Sequence, residues 1–148
     1  MTSSSILDKP VGVIGAGNFG SVIANILAIN RRVILFARDE AVVRSITSTG
    51  IHRGYPMNPR VEPTSDLAYL ASQCDVIFPM VPSAHFRDMM RKLSPYLHPY
   101  HILIHGTKGF DITLPEGETI ESVSKLTREQ VKTMSEVIQE ESVVVRVG

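Results

Sequence analysis

The patterned part of the chain opens on a short apolar run, Val11, Val13 and Ile14, as expected of a parallel strand covered on both faces, and we read a strand over 11–15. Val22, Ile23, Ile26, Leu27 and Ile29 then recur at helical spacing and predict a helix over 18–30. A second apolar strand is read over 33–37 and a short helix over 41–47. Residues 50–63 are rich in Gly, Pro, Asn and Arg without any period, so they read as a long loop, closed by a short strand near 60–64. Leu67 and Leu70 predict a helix over 66–72, capped by Thr64 or Ser65. A fourth strand is read over 75–81 although Pro79 removes one ladder donor, which requires an unpaired position or a bulge.

A helix over 84–93 follows, with Pro82 near its first turn and Ser83 as its cap. Met89, Met90 and Leu93 on it read as core filling. A fifth strand is expected over 101–105, after which 113–124 is polar and weakly patterned. Thr127 and Gln130 have the spacing of a capping box that opens a last helix, with Val131, Met134, Val137 and Ile138 as its apolar face. The final strand is read over 142–147. No internal repeat is present.

Six strands alternating with helices predict an α/β fold: a Rossmann-type doubly wound, mostly parallel sheet in three αβα layers, in the order 3-2-1-4-5-6. Such sheets bind ligands at the carboxyl ends of their strands, beside the switch point. Three loops should converge there: 15–20, 81–83 and 106–108. The first matches G-x-G-x-x-G as Gly15, Ala16, Gly17, Asn18, Phe19 and Gly20, set between a predicted strand and a predicted helix. Gly15 would permit the tight turn, Gly17 would let a pyrophosphate approach the backbone, and Gly20 would let the helix pack close. Alone the motif is weak, since a glycine turn can simply pack a helix on a strand. Its context makes a dinucleotide, NAD or NADP, the expected ligand. Val81 and Pro82 belong to the same convergence.

Composition narrows the alternatives. The 148 residues are one domain's worth of chain, read as a flexible terminus over 1–9 and a cofactor domain over 10–148; 43% are hydrophobic, so a buried core is expected. Fifteen basic residues balance fifteen acidic ones, which gives no sign of a nucleic-acid or membrane surface. Residues 1–8 lack an apolar stretch of signal-peptide type, and no run reaches membrane-span length, so a soluble cytoplasmic chain is expected. The single cysteine, Cys74, precedes a buried strand and reads as a small core hydrophobe. His52, His85, His98, His101 and His105 are scattered over several elements without i, i+4 pairing, which argues against a metal site.

Two charged positions are candidates for chemistry. Arg38 stands at the tip of the second strand, followed by Asp39, where many NAD-binding domains place a carboxylate for the ribose hydroxyls. An arginine there can stack on adenine and pair with a 2′-phosphate, so NADP should be tolerated; the competing reading is a solvated surface arginine. Lys108 follows the fifth strand, where the nicotinamide end should lie, and competes with the reading of an exposed loop lysine.

With G-A-G-N-F-G at 15–20, F-A-R at 36–38, T-S-D-L at 64–67, V-P-S at 81–83 and T-K-G-F-D at 107–111, the sequence resembles the N-terminal domain of NAD(P)-dependent sn-glycerol-3-phosphate dehydrogenases over nearly its whole length. The resemblance implies that Asn18, Phe19 and Arg38 contact the dinucleotide, that Lys108 reaches both cofactor and substrate as the catalytic contact of this domain, and that Phe86 approaches the nicotinamide. It also implies hydride exchange between dihydroxyacetone phosphate and sn-glycerol 3-phosphate. A homodimer stays open, as does the choice between NAD and NADP.

Two stretches depart from the family pattern. Only Tyr55 and Pro56 remain of a Tyr-Leu-Pro-Gly-like segment, and 113–132 is longer than usual. Family members continue past this point into a Ser-Gly-Pro loop and a helical domain carrying the acid/base lysine. The chain is therefore expected to bind cofactor with little turnover. The rivals are a stand-alone nucleotide sensor and the cofactor domain of a hydroxyacid or phosphogluconate dehydrogenase.

Overall fold

The first strand, β1 (Val11–Ile14), is buried along its whole length and ends at the glycine loop. The computed structural model describes residues 8–148, and the terminus expected to be flexible falls, for residues 1–7, outside them. Helix α1 (Asn18–Leu27) stops a turn earlier than its pattern predicts, its end tightening as the Ile29 N–H bonds to the Ile26 carbonyl at 3.2 Å. Strand β2 (Val33–Phe36) leads to α2 (Glu40–Thr49), which Asp39 caps and Gly50, at φ +67°, ends in the left-handed conformation.

The stretch read as loop folds instead into an antiparallel hairpin, β3 (Ile51–His52) and β4 (Tyr55–Pro56), before β5 (Val61–Thr64). Its two-residue turn, Arg53 and Gly54, hides the strands from any periodicity search. Helix α3 (Leu67–Gln73) is capped by Asp66, whose carboxylate accepts from the Tyr69 N–H at 3.1 Å, rather than by Thr64 or Ser65. Strand β6 (Val76–Pro79) precedes α4 (Ser83–Leu93), for which Pro82 is the cap residue and Ser83 the first helical one.

The β7 strand (Ile102–Leu103) is short. A second hairpin, β8 (Asp111–Ile112) with β9 (Val131–Lys132), brackets the polar stretch between them. The helix predicted to open at Thr127 is divided. Thr127 and Gln130 do form a capping box, but on a single 3₁₀ turn, and Val131 is a strand residue. A second box, Thr133 with Glu136, opens α5 (Met134–Glu141). β10 (Arg146–Val147) is the last strand.

Six parallel strands form the main sheet in the order β10-β7-β6-β1-β2-β5, which is 3-2-1-4-5-6 read from the other edge. Alternation along β1 and β2 divides the core in two. Val11, Val13, Val33 and Leu35 pack under α1 and α2 with Ala24, Ala28 and Ile46. Ile14 and Ile34 face α3, α4 and α5, together with Leu70, Phe86, Met90 and Ile138. Gly12 is a notch in that second face: a Cβ there would stand 2.7 Å from Cδ2 of Leu70.

Pro79 sits where its missing donor costs least. It pairs with Ile14 on the β1 side, while pairing with β7 runs only as far as Ile77 and Leu103, so no bulge is needed. Among the described residues, no helix is long and apolar enough to cross a membrane.

Arg87 ties α4 to the later elements. Its guanidinium reaches Asp111 at 2.8 Å, Glu141 at 2.7 Å and Glu140 at 2.9 Å, joining the β8–β9 hairpin and α5 to α4. The Arg87 contact holds the Glu140 and Glu141 carboxyls below the usual carboxylate range. Carboxylates depressed in the folded state stabilise it above their unfolded pKa of 4.5, and that contribution is lost as pH falls through the lowered folded values. Arg87→Ala should therefore cost about 2 kcal/mol at pH 7, the scale of a partly buried charge network losing its centre. Urea denaturation at pH 7 and pH 3 should show the gap to the parent narrowing in acid; a gap that widens would be inconsistent with this sign.

Candidate functional site

Three loops meet at the carboxyl end of the sheet, and each is held there by an identifiable contact. The glycine loop is set by backbone geometry. Gly15 has φ +114°, and a Cβ on it would stand 2.7 Å from the Met80 carbonyl oxygen. A Cβ at Gly20 would collide with the carbonyl of Gly15, so only glycine lets α1 start against the end of β1. Above Gly17, by contrast, nothing lies within 4 Å of where a Cβ would stand. Gly17 is the cap residue of α1 and carries no side chain to satisfy the first-turn N–H groups. An open, electropositive helix N-terminus faces this space, as an anion requires.

The other two loops are fastened to each other. Thr107 Oγ1 donates to the Val81 carbonyl at 2.6 Å, joining V-P-S to T-K-G. Gly106 leaves room for its neighbours: a Cβ there would stand 2.6 Å from Met80 Sδ and 2.8 Å from Phe19 Cε1. Thr107 and Gly106 were missed as individuals by the sequence reading, although the motifs V-P-S and T-K-G contain or adjoin both partners. Nothing in a linear sequence marks that one donates to the other.

Two clefts flank the glycine loop. One, about 370 Å³, brings together Gly17, Asn18, Phe19, Gly20, Val81, Pro82 and Lys108. The other, about 270 Å³, is lined by Gly15, Phe36, Arg38, Val81, Pro82 and Met89 among others. Apart from Phe86, every residue nominated for cofactor contact from sequence lines one cleft or the other, with Val81 and Pro82 forming a wall of both. Lys108 and Arg38 are exposed, and neither makes an ion pair among the described residues. Asp39 is already engaged, its Oδ1 accepting from the Ala41 N–H at 2.8 Å as the cap of α2.

Phe86 does not approach either cleft. It is fully buried under the sheet, edge-on to the His105 ring at 5.8 Å, because α4 turns that face inward. His101 is a satisfied core histidine: its Nδ1 accepts from the His98 N–H at 2.8 Å and its Nε2 donates to the Ala71 carbonyl at 2.9 Å. His52 Nε2 lies 2.7 Å from the Ala16 carbonyl. Burial pushes the His105 imidazole below its ordinary pKa, against a smaller opposing effect of the Thr107 main chain. Burial also pushes the Cys74 thiol up to about 12, which leaves it inert as a nucleophile.

Comparison with known proteins gives the same picture at family level. A family model described as the NAD-dependent glycerol-3-phosphate dehydrogenase N-terminus matches residues 10–146. A glycerol-3-phosphate dehydrogenase (NAD(P)+) of Ectopseudomonas mendocina is 31% identical over 126 residues, covering 82% of this chain and 35% of that protein. The Azotobacter vinelandii protein of the same description is 30% identical over 148 residues, covering 97% of this chain and 38% of its own length. Among solved structures, glycerol-3-phosphate dehydrogenase from Coxiella burnetii superposes with a TM-score of 0.73 at 22% identity, over 95% of this chain and 39% of that one, a likeness of fold. The chain spans somewhat over a third of the length of these relatives.

The two glycines of the loop should separate under mutation. Gly20→Ala should destabilise the fold by about 2 kcal/mol or more, since backbone must move to admit the methyl group. Gly17→Ala should change stability by less than about 1 kcal/mol. Chemical denaturation of both variants measures this directly, and equal costs would contradict the geometry.

Proposed function

The chain belongs to the family of the NAD-dependent glycerol-3-phosphate dehydrogenase N-terminus, and on that premise we propose that it is the NAD(P)-binding domain of an enzyme interconverting dihydroxyacetone phosphate and sn-glycerol 3-phosphate. The observation that carries this reading is the open space above Gly17, at an uncapped helix N-terminus, between a cleft holding Arg38 and a cleft holding Lys108. A dinucleotide is an elongated molecule with a doubly charged middle, and this arrangement fits that shape. The Arg38 cleft would take the adenosine end, the glycine loop the pyrophosphate, and the Lys108 cleft the nicotinamide end with the substrate beside it.

The dinucleotide, when bound, supplies the hydride chemistry. The work of the chain's own residues is binding, orientation and charge. Gly17 keeps the approach to the backbone N–H groups clear, and Gly15 and Gly20 hold those groups in place. Arg38, unpaired and exposed beside Phe36, can lie along the adenine and meet a 2′-phosphate, so NADPH should be accepted along with NADH. Lys108 sets a full positive charge beside the position where the substrate's carbonyl oxygen and phosphate would lie, stabilising negative charge that develops there. The bond from Thr107 to Val81 holds that lysine's loop against the wall of both clefts. The family membership does not favour a stand-alone sensor or a hydroxyacid-type enzyme.

Gly17→Val should abolish binding of NADH and NADPH while circular dichroism and thermal midpoint stay close to those of the parent. Retained affinity in a folded Gly17→Val protein would remove the phosphate from this loop. Arg38→Ala should raise the Kd for NADPH roughly tenfold or more and that for NADH much less, on the scale of one charge-assisted bond. In a full-length protein containing this domain, Lys108→Ala should lower kcat/KM by about 10²-fold with a smaller change in NADH affinity; a full-rate variant would take Lys108 out of the site.

A further inference from the structure

Outside both clefts, the β3–β4 hairpin docks on the glycine loop, in the stretch where this chain departs most from the family pattern. His52 Nε2 lies 2.7 Å from the Ala16 carbonyl, and Arg53 Nη1 donates to Asn18 Oδ1 at 2.9 Å. Behind them, Asn25 on α1 donates to the Pro56 carbonyl at 3.1 Å and accepts from the Asn58 N–H at 2.9 Å. The hairpin is thus fixed to α1 at both ends, and the Arg53 guanidinium is fixed beside the first residue of that helix.

The backbone at Arg53 is unusual. With φ +53° it is the one non-glycine residue of positive φ among the described residues, and Gly54 follows at +79°. Two successive positive φ values between antiparallel strands make the primed two-residue turn, whose first position favours Asn, Asp or Gly. A long arginine there is strained by the left-handed conformation, and residues kept in such conformations cluster at functional sites. The side chain repays no structural debt through charge, for Arg53 makes no ion pair among the described residues. Its partner Asn18 lines both the cavity under the hairpin and the cleft that contains Gly17 and Lys108.

From this geometry we infer that Arg53 is a further dinucleotide-binding residue, its guanidinium meeting the pyrophosphate at the glycine loop. The inference rests on the cofactor reading above. The first turn of α1 carries no basic side chain, so its N–H groups offer only partial charges to a doubly charged group. Arg53 is the full charge held beside them, and a planar fork suits a phosphate. The pyrophosphate is common to NADH, NADPH and ADP-ribose, whereas a 2′-phosphate belongs to NADPH alone.

The test is calorimetric titration of the 148-residue chain and its Arg53→Asn and Arg53→Lys variants with NADH, NADPH and ADP-ribose at low salt. Asparagine suits the turn better than arginine, so Arg53→Asn should keep or raise the thermal midpoint. It should nevertheless raise the Kd for all three ligands by a common factor of about ten. Arg53→Lys, which keeps the charge, should recover part of the loss. Unchanged affinities in a folded Arg53→Asn protein would overturn the inference. A loss confined to NADPH would overturn it as well, moving the guanidinium to the 2′-phosphate. A parent chain that binds none of the three fails at the cofactor reading itself, which separates that failure from this one.

Discussion

The contact on which the site depends is the one between Gly20 and the carbonyl of Gly15. It lets α1 begin hard against the end of β1, with its first N–H groups aimed over Gly17 into open space. Move the helix by the width of a methyl group and those donors no longer converge on the loop. Met80 extends the constraint, since its carbonyl lies against Gly15 and its side chain against Gly106. The glycine loop, the end of β6 and the loop after β7 are therefore one packed unit. The Thr107 bond to Val81 closes that unit on the far side.

Residues of the candidate site were legible to the extent that they lie on this unit. The glycine spacing, V-P-S and T-K-G each mark a strand end, and strand ends in a doubly wound sheet converge by topology. Phe86 shows where that logic stops. It is three residues beyond Ser83, close to the site along the chain, but a helix turns 100° per residue and carries it into the core. Proximity in sequence to a motif says little once the chain has entered a helix.

The fold was legible wherever the hydrophobic pattern ran over four or more residues, as in β1, α1, β2 and α4. It was not legible at the two hairpins, whose strands are two residues long and have no period to detect. Thr127 and Thr133 show a different limit. Both head capping boxes, but only the second is followed by enough apolar surface on one face to pack against α4, so only the second grows into a helix. Gly12 and Leu70 form a notch and its filler that no local pattern reveals, because the pair is joined only by the crossing of α3 over the sheet.

The central place of β1 in the sheet also sets an order of events during folding. Its neighbour β2 begins 22 residues on in register, Val11 against Val33, but its other neighbour β6 is 65 residues away, Gly12 against Ile77. Parallel pairing at that separation must wait for loop closure, and the wait leaves one edge of β1 without partners. Until β6 arrives, Met80 is not there to pack on Gly15, and the loop has no outer wall. In synthesis the glycine motif precedes Met80 by 60 residues, counted from Gly20, and it becomes a shaped surface only once that stretch has followed it.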